Sequence, residues 1–111
     1  MRRADDSEVM RVGKITVDQG KREARVGERQ AVLTNKEFDV LCALLKAGGR
    51  VLSREELLDQ VWGVGVDKEL ITRTVDQHIA RLRKELGPEG QRIRTVPHLG
   101  YRIQTDQPLA E

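Results

Sequence analysis

Two short segments, Thr34-Asn35-Lys36-Glu37 and Ser53-Arg54-Glu55-Glu56, restrict this chain more than any other feature. Each sets a hydroxyl three residues before a glutamate. In such a capping box the hydroxyl accepts from the glutamate backbone N–H while the carboxylate reaches back to the first residue of the box. Both boxes open onto apolar side chains at helical spacing. After the first, Phe38, Leu41, Cys42, Leu44 and Leu45 share one stripe, and Gly48-Gly49 supplies the left-handed stop that helix ends favour. After the second, Leu57, Leu58, Val61 and Trp62 form another stripe before Gly63, and Val51-Leu52 between the two helices leaves room for a very short strand. A third helix, about residues 70–86, follows from Val75, Ile79, Leu82 and Leu86 at steps of four, three and four, an arc that must face the core. Gly87-Pro88-Glu89-Gly90 ends it.

Ahead of the first box the hydrophobic period is different. Met10, Val12, Ile15, Val17, Val26 and Val32 are isolated apolar spots separated by Gly13, Gln19-Gly20 and Gly27-Glu28, which predicts about four short antiparallel strands. Beyond the third helix, Arg92-Ile93-Arg94-Thr95-Val96 and Tyr101-Arg102-Ile103-Gln104 flank Pro97-His98-Leu99-Gly100 and predict a hairpin over 92–104. The expected architecture is α+β: an N-terminal four-stranded antiparallel sheet, three helices and a C-terminal β-hairpin, in one domain over residues 9–104. Residues 1–8 read as a linker remnant or tag and residues 105–111 as a frayed tail.

Composition excludes several classes. A length of 111 residues allows one domain, two at most, with a core that needs no staples. The single cysteine, Cys42, cannot form an internal disulfide, and its place on an apolar stripe predicts a core thiol in a reducing, cytoplasmic setting. No apolar run approaches the ~20 residues that span a bilayer, so no membrane partner is expected. Neither His78 nor His98 has a Cys, His or Asp partner at metal-binding spacing. There is no nucleophile paired with a base and no glycine-rich phosphate loop. No metal, cofactor or enzymatic activity is expected.

Charge is unevenly divided. Between Leu70 and Arg102 seven basic residues face three acidic ones, a local +4 in a chain whose total is +2. Opposite the apolar arc of the third helix, rotation places Arg73, Gln77, Arg81 and Lys84 around Ala80, with Thr74 toward one edge. Long donors around a small residue suit the major groove of DNA, where Arg grips guanine and Gln pairs with adenine. Asp76 on such a face would accept from cytosine or orient Arg73 or Lys84. For Trp62 and Tyr101, packing and an outward-facing donor remain equally open readings.

In their order along the chain these residues resemble the winged-helix DNA-binding domain of OmpR/PhoB-type response regulators. The matching positions are Leu33-Thr34, Glu37, Leu41 and Leu44; Val51, Ser53-Arg54, Leu57-Leu58 and Val61-Trp62; Arg73-Thr74-Val75-Asp76, His78-Ile79 and Arg81-Leu82-Arg83-Lys84; and Ile93, Thr95-Val96 and Gly100-Tyr101. The resemblance implies a recognition helix with Thr74, Asp76, Gln77 and Arg81 at base edges. It implies phosphate contacts from Trp62, Arg73, His78, Arg83, Thr95 and Tyr101, with Lys84 beside them. It further implies double-stranded DNA with tandem direct repeats as partner, RNA polymerase contact through the loop at 63–69, and a sensor kinase acting on a receiver domain outside this chain. The isolated domain is expected to be a monomer. Family members often carry Arg-Gly where this chain has Pro97-His98, so a minor-groove arginine is missing from the wing, leaving Arg94, His98 or Arg102 to substitute. A winged helix that serves protein interaction alone would show acidic or apolar replacements on the recognition face, which instead carries Arg73, Gln77, Arg81 and Lys84.

Overall fold

The structure, a computed structural model, describes residues 8–63 and 68–105, without the side chains of residues 68–72. The expected linker at 1–8 and tail at 105–111 fall almost entirely outside the described residues, as does most of the loop at 63–69. The chain begins as a four-stranded antiparallel meander: β1 (Val9–Val12), β2 (Ile15–Asp18), β3 (Glu23–Val26) and β4 (Arg29–Ala31). Met10, Val17, Ala24 and Ala31 pair in register across the sheet, and Val12, Ile15 and Val26 form the adjoining row on the same face. That face is the buried one, as strand alternation requires, with Ile15 and Val17 wholly enclosed. Arg11, Thr16, Asp18, Glu23 and Arg25 occupy the other face.

Three α-helices follow among the described residues: α1 (Asn35–Lys46), α2 (Arg54–Val61) and α3 (Lys68–Leu86). Both capping boxes form as the sequence predicts, with Glu37 N–H donating to Thr34 Oγ1 at 3.2 Å and Glu56 N–H donating to Ser53 Oγ at 3.0 Å. Burial of α1 exceeds the single expected stripe, since Val40 and Ala43 are enclosed together with Phe38, Leu41, Cys42, Leu44 and Leu45. The reason is its position: β1, α2, α3 and the last strand all pack on α1, so it has almost no solvent face. Cys42 lies within this core, and burial pushes its thiol up to about 11, the behaviour of an inert packing residue.

The third helix starts at Lys68 rather than 70, and the Gly87-Pro88 stop converts it into a short 3₁₀ helix, Gly87–Arg92, rather than a turn. Gly90 lies against the Arg83 carbonyl, where a Cβ would collide, so the 3₁₀ segment folds tightly back on α3. Strands β5 (Ile93–Val96) and β6 (Gly100–Ile103) then form the hairpin. The Val51-Leu52 segment makes only a single bridge: Leu52 N–H donates to the Tyr101 carbonyl at 2.8 Å and Tyr101 N–H to the Leu52 carbonyl at 2.9 Å. These two bonds fasten the start of α2 to the hairpin.

Two polar clamps fix α3 against the sheet. Glu85 accepts from Val32 N–H at 2.9 Å through its carboxylate, while its backbone carbonyl accepts from Arg29 at 3.0 Å, covering the β4 edge. Glu89 accepts from Arg92 Nε at 2.7 Å and from Lys14 N–H at 3.1 Å, tying the 3₁₀ helix to the first hairpin turn. The Arg92 guanidinium, and then the Lys14 amide, hold the Glu89 carboxyl below the usual glutamate range. A carboxyl depressed in the folded state contributes stability that is present above its unfolded pKa and is lost as pH falls through the folded one. Thermal melts should therefore show Glu89→Gln losing less of its melting temperature than the parent chain between about pH 5 and pH 3. Parallel profiles for the two proteins would show that this clamp is not linked to protonation.

Candidate nucleic-acid interface

Four side chains of α3, Val75, Ile79, Leu82 and Leu86, have no solvent exposure. Burying each is worth about 2 kcal/mol, which fixes the roll of the helix. The opposite face is thereby turned outward: Arg73, Gln77, Ala80, Arg81 and Lys84 are all exposed, and Thr74, Asp76, His78 and Arg83 flank them half-buried. The expected donor face around Ala80 is the one the structure presents.

Its borders are built from ring and guanidinium contacts. Trp62, half-buried at the end of α2, meets the His78 ring edge-on at 5.1 Å and lies under Lys36 Nζ, which donates to the Val61 carbonyl at 2.9 Å. His78 Nδ1 lies 2.8 Å from the Thr74 carbonyl, so that nitrogen carries the proton and donates. In the neutral ring the other nitrogen, Nε2, is then an acceptor.

Arg83 runs from α3 to the hairpin, donating through Nε to the Ile93 carbonyl at 3.0 Å and through Nη2 to Thr95 Oγ1 at 2.8 Å. Beside it an open recess of about 470 Å³ is bordered by Arg83, Gln91, Arg94 and Thr95; along β5 the Arg94 side chain shares the hairpin face of Arg102, and Thr95 that of Tyr101. Arg94 is exposed and reaches Gln104 Oε1 at 3.4 Å.

Three of the expected site residues have partners inside the protein. Tyr101 is only 4% exposed, and its hydroxyl donates to Asp76 Oδ1 at 2.6 Å instead of standing open to a phosphate. Asp76 orients neither Arg73 nor Lys84; the same oxygen accepts from Arg54 Nε at 2.8 Å. Arg102 is not on the open side of the wing, because its Nε donates to the Gly49 carbonyl at 2.8 Å, just beyond α1. Of the two remaining wing candidates, Arg94 flanks the recess and His98 is exposed at the tip, in a left-handed conformation with φ 68°.

Arg54, to which the sequence assigns no role, belongs to the same cluster. Its guanidinium lies 5.4 Å from the Tyr101 ring centroid, and Arg83 approaches the same ring at 5.6 Å. The hydrogen bond to Asp76 raises the Arg54 pKa further, while burial first and then the bond to Asp76 raise that of Tyr101. The clue in the sequence is electrostatic: a cation in the first helical position opposes the helix dipole, so a neighbouring anion is needed.

Gly100 makes this closeness possible. Its φ is +144°, and a Cβ there would collide with the Leu52 carbonyl oxygen and press on Ser53 Cα at 2.8 Å. Gly100→Ala should destabilise the domain by about 3 kcal/mol in a urea titration. A loss below about 1 kcal/mol would mean that the hairpin can shift off α2 without penalty.

Helices α2 and α3 packed together, with a two-stranded hairpin bound alongside α3, define a winged helix-turn-helix domain. Residues 28–103 match the family described as transcriptional regulatory protein, C terminal, and the chain belongs to that family, the OmpR/PhoB-type output domain of response regulators. The family is one of regulatory domains, not enzymes. The chain is 40% identical over 100 residues to the transcriptional regulatory protein VxrB of Vibrio cholerae, an alignment covering 90% of this chain and 39% of VxrB. To the phosphate regulon transcriptional regulatory protein PhoB of Escherichia coli it is 39% identical over 100 residues, 88% of this chain and 43% of PhoB. The chain thus spans less than half the length of these relatives. Among solved structures, the RstA DNA-binding domain of Klebsiella pneumoniae in complex with the RstA box superposes with a TM-score of 0.73 at 31% identity, covering 86% of this chain and 96% of that one.

Proposed function

We propose that this domain binds double-stranded DNA sequence-specifically and regulates transcription as the output module of a two-component response regulator. One observation carries the reading: the exposed face of α3 is a set of long donors, Arg73, Gln77, Arg81 and Lys84, around Ala80, with the wing alongside. The solved complex of the similar RstA domain with its DNA supports it. In this reading α3 enters the major groove and Thr74, Gln77 and Arg81 meet base edges. Arg73, Lys84, Arg83 and Thr95 meet the phosphates, joined by Trp62 through its indole N–H and by His78 when protonated. The recess beside Arg83 and Thr95 takes a backbone phosphate. His98 and Leu99 lead at the wing tip, with no guanidinium among residues 97–100.

The wider assignment follows the same course. The operator is a tandem direct repeat, occupied by domains that are monomers when isolated. The loop at 63–69 contacts RNA polymerase, and a sensor kinase controls output through a receiver domain outside these residues, in the cytoplasm. No helix among the described residues is long and apolar enough to cross a membrane.

Selection from random duplexes, followed by anisotropy titrations of the enriched and scrambled DNA at two salt concentrations, tests the reading. Arg81→Ala should cost about 1–3 kcal/mol on the selected site and relax base preference, whereas Arg83→Ala should weaken both duplexes alike and lower the salt slope by about one. Equal losses on both duplexes for both variants would refute the division of roles. Absence of binding to any duplex would favour a winged helix that serves protein interaction.

A further inference from the structure

A single oxygen, Asp76 Oδ1, receives both the Tyr101 hydroxyl of the wing, at 2.6 Å, and the Arg54 guanidinium of α2, at 2.8 Å. Three separate elements therefore meet at one carboxylate on the recognition helix. Further ties surround it. Two backbone hydrogen bonds join Leu52 to Tyr101, the Tyr101 ring is approached by the guanidinium groups of Arg54 and Arg83, and Arg83 is itself bonded to β5. Gly100, adjoining Tyr101, lies too close to Leu52 for any side chain.

We infer that Asp76 is a positioning residue, a latch that sets the angle between recognition helix and wing, so that its contribution to DNA binding is independent of base sequence. The inference rests on the DNA-binding reading above and assigns Asp76 a different part from the base contact implied by resemblance. The physical reason is preorganisation. Helix and wing must grip one duplex at the same time, and if their mutual angle were free, binding would have to order it. Two charge-assisted hydrogen bonds to Oδ1 remove that freedom before DNA arrives. Because both act on the same oxygen, loss of the carboxylate releases the wing and α2 together.

The test uses the 111-residue chain and the variants Asp76→Ala, Asp76→Asn, Tyr101→Phe and the Asp76→Ala/Tyr101→Phe pair. Asp76→Ala and Tyr101→Phe should each weaken binding to selected and scrambled duplexes by the same factor, about tenfold. Asp76→Asn, whose amide oxygen accepts both bonds, should recover most of the loss, and the double variant should bind no worse than the weaker single one. Exchange of the Leu52 and Tyr101 amide protons in the DNA-free chain should quicken in Asp76→Ala and in Tyr101→Phe and stay near the parent rate in Asp76→Asn. Should Asp76→Ala be unfolded at the assay temperature, Tyr101→Phe and its combination with Asp76→Asn supply the same comparison. Loss confined to the selected duplex would make Asp76 a base reader and overturn the latch, as would losses that multiply in the double variant or amide exchange that stays unchanged. Failure of the unsubstituted chain to bind any duplex would instead refute the DNA reading, a separate result, since amide exchange probes the latch without DNA.

Discussion

The seating of Val75, Ile79, Leu82 and Leu86 on the core is the constraint on which the rest of the molecule depends. An α-helix advances about 100° per residue, so burying these four leaves no freedom in which side chains face outward. The exposed set of Arg73, Gln77, Ala80, Arg81 and Lys84 is a geometric consequence of apolar packing and needs no interaction of its own to hold it. Helix α1 makes this possible by being enclosed on nearly every side, at once the floor for α3, the backing for the sheet and the support for the wing. The sheet contributes at a distance: through Glu85 and Glu89 it anchors the far end of α3 and the 3₁₀ helix from which the wing emerges.

Polar contacts then complete what packing begins. A hydrophobic stripe controls rotation about the helix axis, but it is non-directional and controls poorly the angle to a hairpin. Directional bonds supply that: Arg83 to Ile93 and Thr95, Tyr101 and Arg54 to Asp76, and the Leu52–Tyr101 bridge. The placement of Arg54 has an electrostatic logic. At the first position of α2 it faces the positive end of the helix dipole, and the neighbouring carboxylate of Asp76 offsets the repulsion.

Much of this was legible in the sequence, and what was missed was missed for physical reasons. Capping boxes, apolar periodicity and glycine stops are local signals, so the helices, the sheet and the donor face of α3 could be read without tertiary information. Contacts between elements leave no such trace. Nothing local to Tyr101 says that its hydroxyl meets a carboxylate 25 residues earlier, or that Arg102, among the wing cations, turns back to Gly49. The complete burial of α1 was half legible, since Val40 and Ala43 are apolar but lie off the stripe that a one-sided helix would show. Resemblance implies DNA contacts for Asp76 and Tyr101, while the hydrogen bonds the structure shows for them lie inside the protein.

Charge is distributed unevenly along the wing. With Pro97-His98 at its tip and Leu99 61% exposed beside them, the hairpin ends in a proline without an N–H, an imidazole and an apolar side chain. Arg102 is held by Gly49 and Arg94, on the same hairpin face, reaches Gln104, while Thr95 and the helix-borne Arg83 are bonded to one another on the opposite face. These sit toward the base of the wing, not at its end, and Arg83 is already oriented by two hydrogen bonds to β5. A duplex approaching this domain therefore meets fixed positive charge close to α3 and an apolar, weakly charged surface farther out. Electrostatic attraction falls with distance and is screened within about 10 Å at ordinary salt, so the pull on phosphates is concentrated where the recognition helix already lies. The wing tip itself, with a proline, an imidazole and an apolar side chain, offers shape and van der Waals contact in place of fixed charge.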